Sequence, residues 1–388
     1  MPGLSSLSAD RRLLFFAGKG GVGKTTCAAA TALRLAEAGA SVLAVSLDPA
    51  HSLVDVLGST KPAASLDVLE LDAAQEFAAF LRDHRTDLQT IADRGTYLEE
   101  TDIQALLDLS LPGLDEITGL LKLGQLATDE RYQHIVVDLP PTGHALRLFD
   151  VSATFDQLVH ALDLMQAKHR FAVSSLTGRY AEDAIDRFLD QLQTHCRAAA
   201  AALTAPETSA FYVVTRPEPM VIAETARLAA RLRELGAPAA ALVVNAAQPA
   251  LAALPPELAA LPTVRIARLT EPPAGPEALR RLATADIKAV SGAGSPRVSR
   301  AASSYGAAGG SIRPLLADPR RLTIFGGKGG VGKTTMAAAA ALGLARNEPE
   351  RSIVLLSIDP AHSLSDAFGQ AFGPQPRPVA GYPNLRAV

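Results

Sequence analysis

The chain has 388 residues, 48% of them hydrophobic and 20% charged, with a formal charge of −3. That length has room for two domains of the usual ~100–200 residues, and the slight acidity gives no general basic surface, which argues against nucleic acid as a partner. Cys27 and Cys196 are the only cysteines and lack paired spacing, which excludes a disulfide scaffold or a cysteine-rich metal site. Residues 1–12 lack the apolar core of a secretory signal. No uninterrupted apolar run is long enough to span a bilayer, so the cytoplasm is the expected location.

In chain order, the first expected element is a strand at residues 13–17. It runs into Gly18, Lys19, Gly20, Gly21, Val22, Gly23, Lys24, Thr25 and Thr26, and an Ala-rich helical run follows. This is the pattern G-x-x-x-x-G-K-[ST] in its strand–loop–helix setting. Glycines let successive backbone N–H groups turn toward phosphates, and the helix N-terminus favours an anion. Lys24 is placed for the β/γ-phosphates and the Thr25 hydroxyl for Mg²⁺. The residues therefore predict a nucleotide site.

The next expected strands are 41–47, 66–71, 136–139 (preceded by 132–135), 211–215, 241–245 and 263–269, with helices near 221–235 and 277–289. Strands alternating with helices predict a doubly wound, mostly parallel α/β domain with ligands at the carboxyl ends of its strands. Lys24, Asp48, Asp138 and Asn245 all fall at or just beyond such ends. Two long segments, 73–126 and 154–203, carry helical periodicity and are broken at Pro112-Gly113 and Thr177-Gly178. They predict an inserted helical subdomain. In it Leu106, Leu107, Leu120, Leu121, Leu158, Leu162 and Met165 either pack helix on helix or line a groove.

Self-similarity then organises the chain. Gly327, Lys328, Gly329, Gly330, Val331, Gly332, Lys333, Thr334 and Thr335 repeat the first loop letter for letter, after a second expected apolar strand at 322–325. Asp48, Pro49, Ala50, His51, Ser52 and Leu53 are likewise repeated at 359–364, with two extra residues between loop and aspartate in the second copy. The boundaries read as a first ATPase-type domain over 1–290, a tether at 291–317 and a partial second copy at 318–388. A Gly/Ser/Ala-rich tether of that length reaches roughly 30 Å, enough for the two copies to meet face to face. The second copy stops where the third strand would lie, so it is expected to be an incomplete domain with an open sheet edge. Only the first copy carries counterparts of Asp138 and Asn245.

This set of motifs, in this order, resembles the arsenical pump-driving ATPases and the similar ATPases that target tail-anchored membrane proteins. The resemblance implies a Mg²⁺-dependent ATPase working as a pseudo-dimer in cis or as a homodimer. Such an ATPase couples ATP hydrolysis to export of arsenite, antimonite or a related anion through a membrane partner, with peripheral membrane association. The alternative it implies is an ATP-dependent cytosolic carrier for tail-anchored or other hydrophobic clients. By the same resemblance, Lys19 and Lys328 are signature lysines that reach the opposite site. Asp48 positions the attacking water, Asp138 holds Mg²⁺, and Asn245 bonds the adenine under residues 269–273. The metalloid-binding cysteines of one branch and the zinc-binding Cys-x-x-Cys of the other have no counterparts here, while His51, His144 and His362 lack metal-ligand spacing and read as switch-loop hydrogen-bonding groups.

Overall fold

Seven strands, β1 (Leu13–Ala17), β2 (Val42–Ser46), β3 (Leu66–Glu70), β4 (His134–Asp138), β5 (Ser209–Thr215), β6 (Ala239–Ala247) and β7 (Thr263–Ala267), pair in parallel in the order β3-β2-β4-β1-β5-β6-β7. The chain is seen here in a computed structural model that describes it outside residues 1–3, 5–6, 8–9, 50–51, 59–60, 97–112, 248–252, 270–272, 285–320, 327–331 and 359–362. A strand covered on both faces is apolar throughout, and alternation decides which residue enters which layer. On β1, Leu13, Phe15 and Ala17 enter one core, Leu14 and Phe16 the other. Phe15 stacks on Phe211 at 4.5 Å between ring centroids, and Phe16 meets Tyr212 at 5.3 Å. The expected α/β architecture is the observed one.

Helix α1 (Lys24–Glu37) lies on the second of these cores. Its small residues Cys27, Ala28, Ala29, Ala30, Ala32 and Ala36 are all buried, which lets the helix approach the sheet closely. Short α2 (Leu53–Leu57) follows β2, with its first two amides, of Leu53 and Val54, both bonded to the Glu70 carboxylate at the end of β3. The opposite face carries the helical insert: α3 (Ala73–Gly95), α4 (Leu114–Thr128), α5 (Thr142–Thr177) and α6 (Ala184–Thr204). Helix α7 (Pro219–Glu234) and short α8 (Pro256–Ala259) share the core of the insert's face, whereas α9 (Gly275–Thr284) packs in the other core beside α1. No helix among the described residues is long and apolar enough to cross a membrane.

One boundary differs from expectation. The second helical segment begins at Thr142, not near 154, because Pro141 starts a helix and nothing between 142 and 154 stops one. The expected stop at Gly178 is present, with φ +76°. Leu120 and Leu121 are buried in the core, Leu162 and Met165 pack partly against it, and Leu158 faces solvent. Leu106 and Leu107 lie outside the described residues, as does the expected tether.

A polar knot binds the insert. Arg94 at the end of α3 donates to Asp183 (2.6 Å) and to Gln166 of α5 (3.0 Å). Asp183 caps α6 in a reciprocal capping box with Asp186. Asp186 also accepts from Tyr180, from Arg170 Nε at 2.8 Å and from Gln166 at 3.2 Å. Burial alone would raise the Asp186 carboxyl, but the bonds from Tyr180, the Asp183 amide, Arg170 and Gln166 outweigh it and hold it well below the usual carboxylate range.

The second copy forms its own small unit. Strands β8 (Ile353–Leu355), β9 (Arg377–Val379) and β10 (Tyr382–Ala387) order as β8-β10-β9, with α10 (Lys333–Asn347) and α11 (Ser363–Phe368) beside them. Pairing of β8 with β10 is parallel, as for β2 with β3. Two expectations are corrected here. The final strand is not an open edge, because β9 folds back antiparallel onto it. Residues 322–325 are not a strand, and Leu322 and Ile324 are 75% and 81% exposed. In the first copy β1 is held between β4 and β5. Among the described residues the second copy has no counterpart of either, so this apolar run has no ladder to join.

The polar knot yields a first prediction. A group whose folded pKa is depressed stabilises the fold above its unfolded pKa of about 3.9, and that stability is lost as pH falls. Asp186→Asn should cost about 2–4 kcal/mol at pH 7 and flatten the fall in stability below pH ~4. Urea denaturation at pH 7 and pH 3.5 checks both.

Candidate nucleotide site

The site is assembled by the root of the first loop. Gly18 leaves β1 with φ +154°, and a Cβ there would lie 2.3 Å from the carbonyl oxygen of Val214 on β5. Only glycine allows the loop to start this close to the neighbouring strand. At the other end Gly23 adopts φ +95° as the N-cap of α1, and a Cβ there would lie 2.4 Å from Asn245 Nδ2. Asn245, on β6, donates from Nδ2 to the Val22 carbonyl at 2.8 Å, while its Oδ1 accepts from the amide of Ala246 at 2.8 Å. Ala246 takes a left-handed conformation, φ +54°, to make that turn. Asn245 therefore braces the loop from β6. Of the segment expected to cover an adenine, Leu269 is exposed and 270–272 lie outside the described residues.

Lys24 is buried in the first turn of α1, with Nζ 3.3 Å from the Lys19 carbonyl. The Thr25 hydroxyl donates to Asp138 Oδ2 at 2.7 Å and lies 3.4 Å from the Ser52 hydroxyl. Asp138 is fully buried at the end of β4, whose neighbour in register is Phe16, two residues before the loop. Asp48 follows β2, its amide bonded to the Ser46 hydroxyl at 3.3 Å. It lines a cleft of about 210 Å³ together with Pro49, Pro140, Pro141 and His144, and with Asp115, Glu116 and Gly119 from the first turns of α4. Thus Lys24, Thr25, Asp48 and Asp138 gather at the carboxyl ends of β1, β2 and β4, where an open α/β sheet binds its ligands.

A sequence model of the anion-transporting ATPases matches residues 11–254 and again 320–388. The chain belongs to that family. Among its relatives, the ATPase ARSA1 of Chlamydomonas reinhardtii is 32% identical over 402 residues, covering 93% of this chain and 51% of that protein. An arsenical pump-driving ATPase of Escherichia coli is 30% identical over 380 residues, covering 91% of this chain and 62% of that one. The ATPase GET3B of Arabidopsis thaliana is 32% identical over 267 residues, 62% of this chain and 65% of that protein. The chain thus spans about half to two thirds of the length of these relatives.

Within this ATPase-family chain, Lys19 is turned onto the chain's own α7, where its Nζ pairs with Glu224 at 2.5 Å. Of the second loop, Gly327, Lys328, Gly329, Gly330 and Val331 lie outside the described residues, as do Asp359 and His362. Gly332 is the N-cap of α10 with φ +90°, and Lys333, Thr334 and Thr335 begin that helix, as Lys24, Thr25 and Thr26 begin α1. A Cβ on Gly332 would meet nothing within 4 Å among the described residues, none of which stands there as Asn245 stands at Gly23. His144 bonds through Nδ1 to the buried Glu116 carboxylate at 2.9 Å, tying the start of α5 to α4. His51 is outside the described residues. Cys27 and Cys196 are both buried, and burial pushes each thiol up to about 12.

Sequence reasoning missed Glu70, Glu116 and Glu224. Glu70 ends a strand and was findable by the strand-end rule. Glu116 and Glu224 sit in helices and gain meaning only through partners distant in sequence. The glycine argument supplies a second prediction. Gly18→Ala should either displace the loop or destabilise the first domain by about 2–4 kcal/mol, measured by urea denaturation with and without nucleotide.

Proposed function

We propose that the chain binds ATP with Mg²⁺ at the first loop, hydrolyses it, and uses the step to drive export of arsenite, antimonite or a related anion through a membrane partner. The observation that carries this reading is a buried loop lysine and a loop hydroxyl bonded to the strand-end carboxylate of Asp138 in the first turn of one helix, with Asp48 just past the end of the neighbouring strand β2. The printed names of the relatives support its coupling to a pump.

The donors fit Mg²⁺: the Thr25 hydroxyl and the Asp138 carboxylate are hard oxygen ligands, already meeting at 2.7 Å. When bound there, Mg²⁺ would neutralise charge developing on the phosphates. The loop amides and Lys24 hold the β- and γ-phosphates, and the N-terminus of α1 adds its dipole. Asp48 orients the attacking water from the cleft it shares with the Pro140–Pro141 turn. Charge on the transferred group is met by preorganised cations, with Lys328 supplied in cis or Lys19 of a second copy as the further one. The movement is transmitted because α5 starts directly after that turn and continues through the insert, while Glu116 links the same turn to α4.

A second reading is favoured by one observation. Helix α5 exposes Leu158, Leu164, Phe171 and Leu176, apolar side chains that a hydrophobic client would cover. In that reading the same ATPase cycle opens and closes the insert around a protein segment, in keeping with the GET3-named relatives.

Asp48→Asn tests the ATPase reading common to both. Phosphate release should fall by about 10²-fold or more, with ATP binding nearly unchanged. Unchanged turnover would overturn it. Stimulation of wild-type turnover by antimonite then favours export, and co-purification of apolar peptides favours the carrier.

A further inference from the structure

The two lysines of the first loop are treated differently. Lys24 stays inside the loop, close to the Lys19 carbonyl, while the Lys19 side chain leaves it for α7. Gly18 explains the direction: packed on the Val214 carbonyl, it roots the loop against β5, and β5 feeds α7 through residues 216–218. Helix α7 is bolted there in turn. The Thr225 hydroxyl bonds Thr215 at the end of β5 at 2.9 Å and the Val221 carbonyl at 2.7 Å. The residue before Thr225 is Glu224, whose side chain is only 7% exposed.

We infer that Glu224 is a positioning residue that parks Lys19 on its own domain, so that Lys19 must give up a buried carboxylate before it can serve any triphosphate. This rests on the ATP-binding reading above. The two charges lie 2.5 Å apart with the carboxylate almost enclosed, and removing one member of such an ion pair leaves the other as an uncompensated charge. The parked and released states of Lys19 therefore exclude each other. A site whose competent state is only partly populated binds with an affinity reduced by that fraction. Glu224 thus sets a threshold that ATP, or ATP together with a facing domain, has to overcome. It does so without touching the nucleotide.

The test uses the full chain and a fluorescent ATP analogue with Mg²⁺, comparing wild type, Glu224→Gln, Lys19→Met and the double variant. The neutral amide keeps the shape of Glu224 but releases Lys19. Glu224→Gln should bind the analogue about five- to fifty-fold more tightly, and the gain should vanish in the double variant, which should match Lys19→Met. A purely structural role for Glu224 would not make its effect depend on Lys19. Binding by Glu224→Gln no tighter than by wild type, or a gain that persists without Lys19, overturns the inference and leaves the ATP reading intact. Failure of wild type to bind the analogue overturns both. If Glu224→Gln does not fold, Glu224→Asp replaces it. Drawing the carboxylate back by one methylene should give a smaller gain of the same sign, and equal or weaker binding overturns the inference.

Discussion

The contact on which the site depends is the hydrogen bond from the Thr25 hydroxyl to the buried carboxylate of Asp138. Asp138 has no access to solvent, and a carboxylate held that deep is costly unless its oxygens are met by donors or cations. The first turn of α1 supplies the donor, and the position of that turn is fixed by the loop's two ends. One end is pressed on the Val214 carbonyl at Gly18, the other against Asn245 at Gly23. The parallel order β4-β1-β5-β6 is what places these four groups within reach of each other. The sheet positions the chemistry, and the glycines let the backbone come close enough.

The second loop shows how much of this lies outside the loop itself. Its N-cap glycine has nearly the dihedral angles of Gly23, and the helix after it begins with the same three residues. Yet among the described residues nothing stands at Gly332 as Asn245 stands at Gly23, and the apolar run before the loop stays exposed instead of pairing. Identical local sequence gives identical local conformation at the helix start. The flanking strands decide whether that conformation becomes a braced site.

Most of the sheet was legible because buried parallel strands are unbroken apolar runs, and all seven were located to within two residues at their starts. β4 starts two residues before the expected 136, since polar His134 interrupts the apolar run but still pairs with Val42 in the ladder. Lys24, Thr25, Asp48 and Asp138 were legible because a motif fixes each one relative to the loop. What periodicity could not give was the origin of α5, where a proline pair reads as a stop but acts as a start. Nor could it show the partners of Glu224 and Glu116. A lone glutamate on a helix is ordinarily a solvated residue. Only the fold reveals that these two are buried and that each meets a residue of the phosphate loop or of the turn after Asp138.

These two glutamates divide the mechanical roles around the site. Glu116 joins the turn after Asp138 to α4, so a shift of that turn is passed to the insert at two points, through α5 directly and through α4 by the His144 pair. The insert answers as a unit, because the knot of Arg94, Gln166, Asp183 and Asp186 ties α3, α5 and α6 together. A packed body of this kind moves rigidly rather than deforming. Glu224 lies on the other flank, on a helix bonded to β5, and its pairing concerns the loop alone. In the proposed function, events at the phosphates would have two separate outlets, one toward the insert and one toward whatever faces Lys19. Because they leave the site through different strands, each can be altered without disturbing the other.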